Sequence, residues 1–177
     1  MTTVTAIKIS DSFLMDLACS FTVNKDVKIK DRYKMFKSEH SPIRTQMYWI
    51  EMKDIPTYVS VHLVRHKIGV EHFVKSNRPD RGGEDGIVDR NTPINHAMLI
   101  NAQSLINMAR KRLCSKASTE TQVVMLQINK AIRECDPELA NAMVVDCVYR
   151  GGCYEFGGCG FYAKWEKEIK NEYSKSV

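Results

Sequence analysis

The sequence has little of what marks a membrane-borne, secreted or disordered chain. Nowhere do the roughly eighteen consecutive apolar residues of a membrane helix run together. The opening MTTVTAIKIS has neither the basic lead nor the apolar stretch of a secretory signal. A cytoplasmic protein without a membrane partner is therefore expected. No low-complexity tract and no internal repeat is present, which argues against disorder and excludes repeat arrays. Six cysteines occur, but none form a CxxC pair. Cys147, Cys153 and Cys159 in CVYRGGCYEFGGCG come without a histidine at ligand spacing, so no metal is expected. The thiols read as reduced, buried small apolar groups, with Cys114 as packing and not a nucleophile. Neither sign of charge dominates: 26 lysines and arginines stand against 21 acids, a formal net charge of +5. That balance serves phosphorylated small molecules, nucleic acid or plain solubility equally well.

What is there fits a globular protein. At 177 residues with 44% hydrophobic and 27% charged residues, the chain has enough material for one domain with a real core. Asp11 is placed to cap a helix through DSFLMDLACSF, and KDRYKMFKSEH reads as a second, more polar helix ending before Ser41-Pro42. RTQMYWIEM, from Arg44 to Met52, alternates β-branched and aromatic residues as a half-buried strand does. Pro56 fits the first turn of a helix, PTYVSVHLVRH, with Asp54 near its start. A Gly/Pro-rich charged stretch from Pro79 to Arg90 predicts a mobile loop. From about Asn95 to Lys116 the stripe Leu99, Ala102, Ile106, Ala109 and Leu113 predicts one long helix. Ser118 or Thr119 caps TETQVVMLQINKAIREC, Asp136-Pro137 starts PELANAMVV, and WEKEIKNEY reads as a solvated helix. The expected class is α+β, with helices gathered on a small antiparallel sheet.

Chemistry concentrates in LVRHKIGVEHFVKSNRPDR, from Leu63. Composition alone makes this a solvated basic loop. Helical spacing, however, projects His62, Arg65 and His66 together. On the predicted long helix Asn101, Ser104, Met108 and Arg112 fall near one line, and Asn101 and Asn107 are poor helix-interior residues that need another reason. Amides bind heteroaromatic rings, and arginine supplies a planar fork for phosphate or carbonyl groups. The alternative, that they bond neighbouring backbone or a partner subunit, stands level with it.

Three blocks in order, EHSPIRTQMYWIEMKDIPTYVSVHLVRHK, SNR and INAQSLINMARKRLCSKASTET, resemble a divergent flavin-dependent thymidylate synthase. They span Glu39 to about Thr121, somewhat under half the chain. The resemblance implies a homotetramer with active sites between subunits, holding flavin adenine dinucleotide (FAD) and deoxyuridine monophosphate (dUMP). It implies methylation of dUMP with methylenetetrahydrofolate as carbon donor and NADPH as reductant, and no cysteine nucleophile. Carried over position by position, Ser41, Arg65, His66, Lys67, Asn101 and Asn107 match flavin-contacting residues. His62, Ser76, Asn77, Arg78, Arg90 and Arg112 match nucleotide-contacting ones, with Arg112 orienting the pyrimidine and, with Arg65, acting in catalysis.

The chain departs from the pattern at Lys67, where a second arginine is usual, and at His62, where a glutamine is usual. VEHFVK replaces the family's serine, asparagine and glutamate, the spacing from Arg65 to Ser76 is one residue longer, and Pro79 replaces a tyrosine. These departures keep two alternatives open: one-carbon transfer to another pyrimidine nucleotide, and a noncatalytic flavin or nucleotide binder on the same scaffold. Glu71 and His72 read as local loop contacts. Binding of nucleic acid through KSNRPDR is favoured by charge and disfavoured by the adjoining acids, and is not expected.

Overall fold

Alternation decides the sheet. In the computed structural model, which describes residues 1–76, 78–83 and 89–175, strand β2 runs Met47–Pro56 and buries every second residue: Tyr48, Ile50 and Met52. Strand β4, Pro93–Asn101, does the same with Ile94, His96, Met98 and Ile100. β1 (Thr3–Lys8) and β3 (Val70–Val74) flank them, giving one antiparallel sheet in the order β1-β2-β4-β3. Directly opposed residues of antiparallel strands share a face. The pairs Ile50↔Met98, Tyr48↔Ile100 and Val70↔Ile100 therefore line the covered side, and His72↔Met98 puts His72 on that side too. The other side carries Trp49 against Phe73, ring centroids 5.4 Å apart, with Ile7 exposed nearby in the register.

The helices are α1 (Phe13–Val23), α2 (Arg32–Ser38), α3 (Thr57–Leu63), α4 (Ala102–Arg112), α5 (Thr119–Cys135), α6 (Pro137–Ala142), α7 (Asp146–Arg150) and α8 (Phe161–Lys175). Helices on a small antiparallel sheet are the architecture expected from the sequence. Side-chain caps account for several helix starts: Asp31 accepts from Lys34 N, Ser118 from Thr121 N and Asp136 from Leu139 N. Asp11 accepts from Phe13 N at 2.7 Å, just ahead of α1. α5 supplies Val124, Met125, Ile128 and Ile132 to a core that includes Leu105, Ile106 and Ala109 of α4. Among the described residues no helix is long and apolar enough to cross a membrane.

Three sequence expectations are corrected. The helix predicted from Asn95 begins only at Ala102, because PINHAMLIN is strand β4. Its residues Ala97, Met98 and Leu99 are good helix formers, yet alternation and pairing on both edges win over propensity. Asn101 is consequently not a helix-interior residue. Its carboxamide accepts from Ser104 N at 2.9 Å, the favoured N-cap role. Second, EHFVK is no loop but most of β3. Third, β1 came from a stretch that sequence reading left without an element. β2 also outlasts its predicted end: a register shift between Met52 and Ile55, with Asp54 at φ 55°, turns the chain so that Ile55 is buried and Pro56 leads into α3.

Candidate active site

Two helix ends meet at the site. α3 stops at Leu63, and the last carbonyls of any helix lack intrahelical partners. Arg112, the last residue of α4, fills that need: its Nη2 donates to the His62 carbonyl at 2.7 Å, and its Nε to His66 Nε2 at 3.1 Å. The first contact anchors a cation at a helix C-terminus, where the dipole favours it. The second defines a tautomer. Because arginine only donates, His66 Nε2 must accept, so the ring is neutral with its proton on Nδ1.

Electrostatics agree. Burial, then Arg112, then His72, push the His66 pKa down to about 4. Burial followed by Arg112, Arg65 and Arg90 lowers that of His62, whose Nδ1 sits 2.8 Å from the Thr121 hydroxyl. Even the Arg112 guanidinium is shifted down, by burial and then by Arg65. Crowded cations in a half-buried setting form a site that an anion relieves.

Two clefts adjoin there. One, of about 370 Å³, is lined by Arg65, His66, Lys111, Arg112, Lys116 and Glu155 among others. The second, of about 470 Å³, is lined by Arg65, His66, Lys67, Ile68, Ser104 and Asn107. Arg65 and His66 are common to both, so two ligands lying in these clefts would touch at that pair. The second cleft combines two cations, the Asn107 amide and the side chain of Ile68, which is 89% exposed. Cationic donors beside an exposed apolar edge fit a flat cofactor with an anionic tail.

The structure thus brings together Arg65, His66, Arg112 and His62, with Lys67 and Asn107 on the adjoining cleft. Arg90 stands at the margin: its guanidinium lies 4.7 Å from the Tyr58 ring centre, and Tyr58 meets His62 edge-on at 5.6 Å. The remaining predicted residues are elsewhere. Asn101 is occupied by its cap and packs over Gly69. Ser41 is exposed at the start of a 3-10 turn, Ser41–Thr45, and lines neither cleft. Arg78 forms an exposed ion pair with Asp80 at 2.9 Å, and its amide donates to Ser76 Oγ at 3.3 Å. Asn77 lies outside the described residues.

Sequence reading missed Lys116 and Glu155 in the cationic cleft, Thr121 and Ser118 behind His62, and the partners of His72. Ser118 was legible only as a cap residue, and Thr121 only as part of the helix that follows. His72 Nε2 is 2.8 Å from the His66 carbonyl, its Nδ1 is 2.9 Å from His96 Nε2, and His96 Nδ1 is 3.0 Å from Ser60 Oγ. The cysteines also gather: Cys114, Cys147, Cys153 and Cys159 line a third cavity of about 320 Å³, all as free thiols. Among the described residues no three His, Cys, Asp or Glu side chains are placed to hold a metal ion.

The fold defined by this sheet and its helices is that of the flavin-dependent thymidylate synthases. Thymidylate synthase X from Helicobacter pylori, solved with FAD and dUMP, superposes with a TM-score of 0.65 at 17% identity, covering 81% of this chain and 97% of that one. A UMP/dUMP methylase from Streptomyces cacaoi bound to 5-Br dUMP gives 0.62 at 14% identity, over 80% of this chain and 94% of the methylase. No family model matches the sequence, and no curated protein matches it.

Proposed function

We propose that this chain is a flavin-dependent methyltransferase that converts dUMP to thymidylate with methylenetetrahydrofolate and NADPH. The observation that carries the reading is the meeting of two clefts at Arg65 and His66, one cationic and one fitted to a flat cofactor. The fold shared with a synthase solved with FAD and dUMP supports the same assignment.

On this reading the cationic cleft takes the nucleotide. Arg112, held by His66 and the His62 carbonyl, retains further N–H donors for a pyrimidine carbonyl and stabilises charge that develops on the ring. Arg65 and Lys116 offset the phosphate, in place of the Ser76 and Arg78 contacts that the family pattern implied. In the neighbouring cleft Arg65, Lys67 and Asn107 hold FAD, which when bound supplies the hydride. His66, neutral and fixed in one tautomer, keeps the cations apart and excludes water between the two ligands.

The assembly is a homotetramer on the same reading. α1 leaves Phe13, Leu14, Leu17 and Phe21 exposed, and the uncovered side of the sheet carries Ile7, Trp49 and Phe73. Apolar area of this kind on a chain of this size marks surfaces that another copy covers. Ser41, which is exposed, would then act toward a partner's ligand.

The experiment is a flavin titration followed by dUMP titration of the purified protein, with tritium release from labelled dUMP as the turnover assay. The expected result is a perturbed flavin spectrum, a further change with dUMP, and folate-dependent release. Binding without release supports the noncatalytic alternative. Binding of neither ligand ends the proposal.

A further inference from the structure

The histidines of VEHFVK and NHAM form a chain of hydrogen bonds that no role above uses. Ser60 and His96 are buried, at 4% and 1% exposure, beneath the sheet end that faces α3. His72 bridges from β3 to the turn after α3, ending on the carbonyl of His66, the residue whose ring receives Arg112.

The chain has a defined direction. A carbonyl oxygen only accepts, so His72 Nε2 carries a proton and donates to it. In the neutral ring Nδ1 then accepts, which requires His96 Nε2 to donate. His96 Nδ1 is left as an acceptor, and the Ser60 hydroxyl donates to it. Every polar atom in the row is satisfied by one arrangement of protons. With both rings neutral the row resists rearrangement, since reversing His72 turns a lone pair toward the His66 carbonyl and reversing His96 sets two unprotonated nitrogens against each other. Burial, and then the adjacent His72 ring, hold His96 neutral, consistent with that arrangement. A hydrophobic trio would fill the same space without ordering anything; this row ends on the peptide that carries His66.

We propose that His72 and His96 are positioning residues for the site: with Ser60 they form a fixed relay that clamps the His66 peptide and so aims the imidazole that receives Arg112. The proposal rests on the reading of the Arg112 cleft as a nucleotide site only in its consequence for binding; the clamp itself is a property of the ligand-free chain.

The test is nitrogen-15 NMR of the imidazoles in the full ligand-free chain, with dUMP affinity measured in parallel. Wild type should show His66 protonated on Nδ1 and His72 on Nε2. His72→Phe should turn His66 into a mixture of tautomers and weaken dUMP binding about tenfold, the scale of one lost hydrogen bond at a charged site. His72→Gln reaches the His66 carbonyl with its amide and should restore both readouts, whereas His72→Asn, one methylene shorter, should not. His72→Asn serves as the second variant if His72→Phe does not fold, whereas Ser60→Ala should leave the His72 and His96 tautomers as they are, since the His66 carbonyl sets them. A folded His72→Phe or His72→Asn protein in which His66 stays wholly protonated on Nδ1 overturns the clamp. If wild type binds no dUMP yet its tautomers respond as described, the nucleotide reading fails and the clamp stands.

Discussion

Arg112 and His66 are joined by a hydrogen bond in which the cation donates and the imidazole accepts, Nε to Nε2 at 3.1 Å. Charge and neutrality are thereby coupled: the ring accepts this bond only while Nε2 is unprotonated, and the guanidinium beside it helps keep it so.

Arg112→Ala should raise the dissociation constant for dUMP by roughly ten- to a hundredfold, since hydrogen bonds to charged groups contribute about 1.5–3 kcal/mol. Arg112→Lys should recover little, because an ammonium cannot bond the His62 carbonyl, the His66 ring and a pyrimidine in one plane. Isothermal titration calorimetry of the two variants decides it. Unchanged affinity in Arg112→Ala would remove the residue from the site.

The loop between the site and β3 depends on Gly69. Its φ of +69° lies in the left-handed region, and a Cβ there would sit 2.2 Å from Asn101 Nδ2 and 2.5 Å from Ser104 Oγ. Gly69→Ala should cost at least the roughly 1–2 kcal/mol of the backbone conformation, and more if the α4 cap is displaced. A denaturant midpoint that does not move would contradict the backbone cost as well as the clash with Asn101 and Ser104.

Asp136 is buried at 3% exposure and accepts from Tyr48 Oη at 2.7 Å, from Lys8 Nζ at 2.7 Å and from Leu139 N at 3.1 Å. It ties β1 and β2 to the start of α6. Asp136→Ala removes three partners at once, leaves a buried phenol unpaired and strips the Lys8 ammonium of its counter-ion, so a loss of about 3–5 kcal/mol is expected. Tyr48→Phe removes a single bond and should cost about 1–2 kcal/mol. Equal losses in the two variants, read by urea unfolding, would contradict this ordering.

Stability should also fall in mild acid. His66 and His96 have folded pKa values pushed down to about 4, against an ordinary 6.5. The unfolded chain therefore binds more protons between these values, and stability rises with pH there. The contribution is present above about pH 6.5 and is lost as pH falls through about 4. Urea midpoints followed across that range should decline, and less steeply in His96→Gln. A flat profile would mean that neither ring is protected from protonation.

The sequence by itself determined the class of fold, the caps at Ser118 and Asp136 and part of the central constellation. Ser118 and Asp136 cap their own helices through local side chain to backbone bonds, which neighbouring residues settle. Arg65, His66 and His62 lie within one helical turn and the turn that follows, so their clustering was legible; Arg112 was placed with them by family resemblance.

Only the tertiary structure decided that PINHAMLIN is a strand, because β4 is paired on both edges by segments far away in sequence. It decided in turn that Asn101 stands at the start of α4 and not inside a helix, and that His72 faces His96 across neighbouring strands. Strand register and the docking of one helix end on another are set by long-range contacts. No local spacing encodes them.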